Sequence, residues 1–164
     1  MSIPIAISGT DLIGQARTGT GKTLAFGVSA LQRIVLPGDE GWTQSGSRLP
    51  QALVMCPTRE LALQVSRDID TAARVRGARV LTVYGGVGYD SQIDALKRGV
   101  DVVVGTPGRL LDLVGRKDLN LTSCSIVVLD EADEMLDLGF LPDVEKLLGH
   151  CPTSRQTVSY THLR

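Results

Sequence analysis

The chain has 164 residues, of which 43% are apolar, 21% charged and 4% aromatic, and its formal net charge is -1. This length suits one domain, because domains usually contain about 100 to 200 residues. The apolar share excludes an intrinsically disordered chain, and the 18 glycines have no period that would indicate a collagen-like fibre. No run approaches the roughly 18 apolar residues of a membrane span, so we expect a soluble, cytoplasmic protein.

The small net charge conceals an asymmetry along the chain. Residues 1–109 contain 12 Lys and Arg against 9 Asp and Glu, a balance of +3, and residues 110–164 contain 5 against 9, a balance of -4. A polyanion would therefore have to bind through a few placed groups rather than through bulk charge.

The three cysteines are odd in number and include no Cys-x-x-Cys pair. They predict neither a disulfide framework nor a four-ligand zinc site. We expect Cys56, Cys124 and Cys151 to be reduced thiols that fill the core as small apolar side chains.

Five short apolar runs, rich in β-branched residues, predict β-strands. The last two runs are nearly continuous in apolarity, which is typical of strands buried on both faces of a parallel sheet. The runs occupy residues 11–15, 51–56, 79–84, 100–104 and 125–130.

Segments with helical spacing alternate with these strands. Apolar residues recur at steps of three and four in residues 22–35 and 60–74, and residues 91–98 and 108–114 are shorter candidates. Residues 37–50 are rich in Gly, Ser and Pro, and this composition predicts a surface loop. This alternation favours a doubly wound parallel α/β sheet, with ligands at the carboxyl ends of its strands.

A glycine-rich segment follows the first strand and directly precedes a helix. Its glycines let successive backbone N–H groups point into one concavity, and the helix N-terminus favours an anion there. The Lys22 side chain would reach the outer phosphates of a nucleotide, and the Thr23 hydroxyl would bind Mg2+. The strict phosphate-loop pattern has glycine where this chain has Ala16. The segment comprises Ala16, Arg17, Thr18, Gly19, Thr20, Gly21, Lys22 and Thr23.

The last predicted strand ends in acidic residues at positions 130, 131 and 133. In a parallel sheet, this strand end lies at the same edge as the phosphate loop. Asp130 is then placed to hold Mg2+ through water, and Glu131 to orient or deprotonate an attacking water. The alternative is a solvated acidic helix start, since acids are favoured at a helix N-terminus.

Residues 130–133 spell DEAD, and together with residues 16–23 they resemble the DEAD-box family of ATP-dependent RNA helicases. Further signatures stand in the family's order at residues 57–61, 85–86, 92–99 and 106–109. The resemblance covers roughly residues 3–158 and implies the first of two RecA-like P-loop NTPase domains.

The resemblance also implies roles for individual residues. Lys22, Thr23, Asp130 and Glu131 match the ATP and Mg2+ positions, and Asp133 matches a residue that couples nucleotide state to interdomain contacts. A second set of residues matches the family's contacts to the RNA backbone. These residues provide N–H groups, hydroxyls and guanidiniums, which suit phosphates and sugars, so the resemblance implies sequence-independent binding. This set is Pro57, Thr58, Arg59, Gly85, Gly86, Thr106, Gly108 and Arg109. The alternative for Arg59 and Arg109 is that they cap or pair within the domain, with Glu60 a candidate partner for Arg59.

The two ends of the chain depart from the family pattern. We expect the chain to lack the family's adenine-reading segment, which would stand before Ile3 and which selects ATP over other nucleotides in the family. Residues 155–158 resemble the entry to a sixth strand, after which the match is lost. We interpret residues 159–164 as a non-native or frame-shifted tail, in which Ser159 and Thr161 mimic a family motif.

We expect the chain to lack the second RecA-like domain, which completes the ATP site and the RNA cleft in the family. We therefore expect the fragment alone to bind nucleotide weakly and to be nearly inactive. The alternative function is a non-catalytic nucleotide- and RNA-binding module from a truncated gene. For residues 135–140, which follow the acidic motif, we expect core packing.

Overall fold

The computed structural model describes residues 11–16, 21–43 and 48–162. Within them, six strands form one sheet in the order β1-β6-β5-β2-β4-β3, and every neighbouring pair is parallel. The strands are β1 Leu12–Ala16, β2 Ala52–Met55, β3 Val80–Val83, β4 Val102–Gly105, β5 Ile126–Leu129 and β6 Gln156–His162.

Helices connect successive strands and cover both faces of the sheet. They are α1 Lys22–Arg33, α2 Arg59–Arg76, α3 Asp90–Arg98, α4 Pro107–Gly115, α5 Ala132–Asp137 and α6 Leu141–Gly149. The predicted doubly wound parallel α/β fold is therefore confirmed.

The alternation of side chains along the strands divides the core into two layers. On one face, Val54 of β2 packs with residues of α1 and α2 such as Phe26 and Val65. On the other face, the next residue along β2, Met55, packs with residues of α4 and α6 such as Leu110. Strands β2 and β4 are buried along their whole length, and for β4 the nearly continuous apolarity of residues 100–104 predicts this burial.

The ends of α2 follow from local chemistry. Thr58 adopts extended backbone angles, and its side chain accepts a hydrogen bond from the Leu61 N–H at 3.2 Å. The helix ends at Gly77, whose φ of 73° is the left-handed conformation that favours glycine. Basic residues in the last turn, Arg74 and Arg76, complement the helix dipole.

The entry to a sixth strand expected at residues 155–158 belongs to β6, which continues to His162, and Tyr160 packs against Phe26 with ring centroids 5.6 Å apart. One expectation needs adjustment. Residues 135–140 are only partly in the core. Met135 is buried, but Leu136 and Leu138 are 53% and 52% exposed, because the six-residue helix α5 has only one narrow face toward the sheet.

Other expectations agree with the described residues. No helix or strand occurs in the described parts of the 37–50 loop, and residues 44–47 of that loop lie outside the description. Cys56, Cys124 and Cys151 are buried thiols, as expected. No helix in the described part of the chain is long and apolar enough to span a membrane.

Candidate functional site

The strand register brings most of the candidate residues to one edge of the sheet. Val83, Gly105, Met55 and Leu129 are register partners across four neighbouring strands, and each is the last residue of its strand. The sequence signatures begin within two residues after this row, at Gly85, Thr106, Pro57 and Asp130.

Backbone hydrogen bonds extend the sheet just beyond the ends of the strands. The Thr106 N–H donates to the Val83 carbonyl at 3.0 Å, and the Asp130 N–H donates to the Met55 carbonyl at 2.9 Å. A Cβ at Gly105 would lie 2.5 Å from the Val83 carbonyl oxygen, so this position requires glycine. The candidate residues therefore start from a rigid backbone.

The strand and helix that flank the phosphate-loop segment are present. β1 ends at Ala16 and α1 begins at Lys22, with Gly21 at the N-cap in the left-handed conformation, φ 77°. Thr23 is half-buried in the first turn of α1. Arg17, Thr18, Gly19 and Thr20, and the side chains of Ala16 and Lys22, lie outside the described residues. β6 separates β1 from β5, so their backbones are about 10 Å apart.

The acidic strand end is buried rather than solvated. The Asp130 side chain is 0% exposed and Glu131 is 8% exposed. Glu131 forms the N-cap of α5 with φ 55°, a left-handed conformation that is strained for a residue other than glycine. Asp133 is half-buried in the first turn of α5. This burial argues against the alternative of a solvated helix start for Asp130 and Glu131.

Arg59 is exposed and lies over an aromatic ring. Its guanidinium carbon is 4.8 Å from the centroid of the Tyr84 ring, within the range of a cation–π interaction. Among the described residues, Arg59 forms no ion pair, so the suggested pairing with Glu60 is not found. A Cβ at Gly86 would lie 3.6 Å from an Arg59 nitrogen, which places this glycine beside the guanidinium.

Arg109 is held from three sides. Its Nη2 donates to the Val87 carbonyl at 2.8 Å, its Nη1 donates to the Gln92 side chain at 3.2 Å, and its guanidinium lies 4.1 Å from the centroid of the Tyr89 ring. Pairing within the domain is therefore present for Arg109. An arginine offers five N–H donors, so these two hydrogen bonds leave others for a ligand.

Tyr89 lies between charged groups. Its hydroxyl donates to Asp112, and this hydrogen bond, with lesser contributions from burial and from the charge of Asp112, raises the pKa of the phenol. Arg116 also contacts the ring, at 4.3 Å from its centroid. The phenol therefore stays neutral at physiological pH, and its ring contacts the guanidiniums of Arg109 and Arg116.

Sequence reasoning missed the supporting roles of Tyr84, Tyr89 and Gln92. Gln92 is 4% exposed, and its amide also donates to the Tyr84 carbonyl at 3.2 Å. It thereby ties α3 to the end of β3 and to Arg109 in α4. The available signals were the nearness of the two tyrosines to the glycine pair and the place of Gln92 at the start of the signature at residues 92–99. Neither signal gives the contacts, because no fixed spacing encodes a contact between separate elements.

The donors at this edge suit a hard cation that retains its own water. No cluster of three or more His, Cys, Asp or Glu side chains able to hold a metal occurs in the described ranges. Mg2+ does not require such a cluster, because it usually binds proteins through one or two carboxylates together with phosphates and water. Asp130 and the Thr23 hydroxyl are oxygen donors of this kind.

The chain is similar in sequence to known proteins over nearly its whole length. The family model described as DEAD/DEAH box helicase matches residues 1–161. Over 98% of its length, the chain is 48% identical to the DEAD-box ATP-dependent RNA helicase CshA of Streptococcus pneumoniae. Over 95% of its length, it is 49% identical to the chloroplastic DEAD-box ATP-dependent RNA helicase 3B of Zea mays. Over 93% of its length, it is 44% identical to the ATP-dependent RNA helicase RhlB of Haemophilus influenzae.

The chain covers 29%, 21% and 36% of these three relatives, about a third of their length or less. Its six parallel strands with helices on both faces are the architecture of a RecA-like domain. With the family model matching nearly every residue, this chain belongs to the DEAD/DEAH box helicase family.

Proposed function

We propose that this chain is the first RecA-like core domain of an ATP-dependent RNA helicase, which binds ATP and RNA and couples ATP hydrolysis to local separation of an RNA duplex. The observation that carries the proposal is the register row Val83, Gly105, Met55 and Leu129, after which the acidic motif and the basic residues emerge at one edge of one rigid sheet. The protein groups proposed to bind nucleotide and those proposed to bind RNA are therefore held by strands of the same sheet.

In this proposal the nucleotide binds beside β1 and β5. Backbone N–H groups of residues 16–23 receive the phosphates, and the Lys22 ammonium contacts the outer ones. Thr23 and Asp130 would hold Mg2+, which would offset the negative charge of the phosphates. Glu131 orients the attacking water and accepts its proton, while Asp133 transmits the nucleotide state to a neighbouring domain.

RNA would bind along the strand ends on the other side of β5. Arg59 and Arg109 supply positive charge, and the exposed glycines Gly85, Gly86 and Gly108 let a sugar-phosphate chain approach the backbone. The faces of Tyr84 and Tyr89 are engaged by guanidiniums, so these rings are poorly available for stacking on bases. This supports binding to the backbone without sequence preference.

A second domain of the longer protein would complete both sites. In the proposed reaction, ATP closes the two domains over RNA and bends one strand, and hydrolysis reopens them. The alternative function is a binding module that retains the nucleotide and RNA contacts without catalysis. ATP hydrolysis by a longer protein that contains this chain separates the two functions.

Nucleotide binding is tested with Lys22→Ala. We expect this change to abolish binding of ATP in isothermal titration calorimetry, because the outer phosphates lose their cation. The matched control is Lys146→Ala, which removes the same charge from an exposed position on α6. Equal affinity of Lys22→Ala and the unchanged protein would overturn the assignment of the phosphate loop.

RNA binding is tested with Arg109→Ala and the control Arg67→Ala, which removes an exposed arginine of α2. Arg109→Ala should weaken binding by about tenfold for uridine and adenosine homopolymers alike, as expected for a charged backbone contact. Fluorescence anisotropy at fixed salt measures both affinities. A loss for only one polymer, or an equal loss in Arg67→Ala, would contradict backbone recognition through Arg109.

A further inference from the structure

Gln92 is a buried polar side chain in the first turn of α3, and each end of its amide has a different partner. The residue is 4% exposed. Its Nε2 donates to the Tyr84 carbonyl at 3.2 Å, and its Oε1 accepts a hydrogen bond from the Nη1 of Arg109 at 3.2 Å. A carbonyl only accepts and a guanidinium only donates, so the amide cannot be reversed without losing both hydrogen bonds. The two partners therefore fix the orientation of the Gln92 side chain.

The first of these hydrogen bonds closes the segment that carries the glycine pair. Tyr84 follows the last residue of β3, Gly85 and Gly86 come next, and Gln92 lies eight residues after Tyr84. Gly86 has a φ of 80°, the left-handed conformation that favours glycine. Because Gln92 joins the two ends of residues 84–92, it limits the positions that the glycine pair can take relative to the sheet.

The closed segment also surrounds the side chain of Arg109. The Val87 carbonyl, the Tyr89 ring and the Gln92 amide all contact its guanidinium, and all three belong to residues 84–92. Arg109 itself lies in the first turn of α4, which follows β4, the neighbour of β3 in the sheet. Of the three contacts, only Gln92 also bonds to the beginning of the segment, at Tyr84. One side chain thus connects the glycine pair with the arginine.

Gln92 holds Arg109 without neutralising its charge. Among the residues that the structure describes, Arg109 forms no ion pair, and a neutral amide adds no negative charge beside the guanidinium. The guanidinium has five N–H donors, and its two hydrogen bonds leave others for a phosphate. A side chain that is already ordered loses less conformational entropy when it binds a ligand. Arg109 therefore combines a full positive charge with a fixed position.

We propose that Gln92 is a positioning residue for RNA: it closes residues 84–92 and holds Arg109 against them, so that the glycine pair and the guanidinium meet one sugar-phosphate backbone as a preformed unit. This inference rests on the proposed binding of RNA at this edge of the sheet. Gln92 does not touch RNA itself, because its amide is buried and both ends are engaged. Without it, Arg109 would have to be ordered during binding, and RNA affinity would fall.

The test is a double-mutant cycle between Gln92→Met and Arg109→Ala, read by fluorescence anisotropy of a labelled uridine homopolymer at several salt concentrations. Methionine has nearly the length and helix propensity of glutamine but forms neither hydrogen bond. We expect Gln92→Met to weaken RNA binding by about fivefold. The slope of log affinity against log salt should become shallower, by as much as about 0.7, the value of one phosphate contact on a single strand. In the Arg109→Ala background, Gln92→Met should cost less than about twofold, because the two residues act together.

Two further variants complete the experiment. Gln92→Asn keeps a polar amide but is one methylene shorter, so it cannot reach both partners and should also weaken RNA binding. This variant keeps the test decisive if Gln92→Met does not fold. Gln32→Met makes the same substitution at an exposed position of α1 and is the control, for which RNA affinity and salt dependence should not change.

The inference is overturned if Gln92→Met and Gln92→Asn bind RNA with the affinity and salt dependence of the unaltered chain while Arg109→Ala binds more weakly. It is also overturned if the losses of the two single variants multiply in the double variant, because Gln92 would then act independently of Arg109. Unchanged affinity in Arg109→Ala would instead contradict the proposed RNA contact itself, and the inference would fail with it.

Discussion

At the scale of single residues, Glu131 combines burial with an unusual backbone conformation. Its φ of 55° is positive, and among the described non-glycine residues only Lys117, with a φ of 62° on the surface after α4, also has a positive φ. The conformation alone therefore does not mark a functional residue. At Glu131 it coincides with the end of β5 and with a buried carboxylate neighbour, Asp130. This combination supports the proposed role of Glu131 in orienting water.

Glu131→Gln tests this role, because the amide has nearly the same shape but cannot accept a proton. We expect ATP affinity to change by less than about twofold, while hydrolysis falls by at least about 100-fold. A single-turnover assay with labelled ATP and excess protein measures slow hydrolysis, and calorimetry measures affinity. Glu145→Gln on α6 is the control and should leave both values unchanged. Hydrolysis at the original rate in Glu131→Gln would contradict the role.

At the scale of elements, α2 shows how one residue can serve both structure and function. Thr58 follows β2 and caps α2, so its side-chain oxygen is held by the Leu61 N–H. The same residue is a proposed RNA contact, and the neighbouring Arg59 opens the helix. The position of the basic group therefore depends on where the helix begins.

Thr58→Ala removes this cap and should lower the free energy of unfolding by about 1 kcal/mol. Urea denaturation followed by circular dichroism measures the loss. Thr58→Ser keeps the oxygen and should recover most of the stability. Thr71→Ala, within the same helix, is the control, because its hydroxyl only bonds back to the Arg67 carbonyl and should contribute little. Equal losses at positions 58 and 71 would show that capping is not the cause.

At the scale of the whole molecule, the proposed ATP and RNA groups share one edge of a single sheet. The chain spans 21% to 36% of the three relatives named above. All the ATP-binding and RNA-binding groups that we propose for it lie at this one edge. A charge developing on transferred phosphate is commonly stabilised by an arginine from a neighbouring element, worth about 10^3 to 10^5 in rate in comparable nucleotidases. Part of the proposed catalysis therefore depends on groups outside this chain.

The isolated chain should accordingly hydrolyse ATP at least about 10^3-fold more slowly than the full-length RNA helicase CshA of Streptococcus pneumoniae, and RNA should not accelerate it. Phosphate release at saturating ATP, with and without uridine homopolymer, measures both rates. Glu131→Gln provides the background. RNA-stimulated turnover of the isolated chain at the rate of full-length CshA would contradict the proposed dependence on groups outside this chain.

The sequence by itself determined the alternation of strands and helices up to residue 130, the parallel α/β architecture and the positions of the candidate motifs. These features are encoded locally, because burial on both faces makes a strand continuously apolar and because glycine, lysine and acids stand at fixed spacings after strands. The strand β4 and the segment at residues 130–133 are examples. The short helices α5 and α6 were not predicted, and only the entry to β6 was, because pairing with β1 and β5 and not composition fixes how far this strand extends.

The tertiary structure alone decided which distant side chains meet. It placed Gln92 and Tyr89 around Arg109 and exposed Leu136 on a helix expected to pack inward. None of these contacts follows from spacing, because each joins separate elements whose relative position depends on sheet order and helix packing. Local periodicity specifies the face a residue occupies, but the residue that it meets there is set by the three-dimensional arrangement of the whole chain.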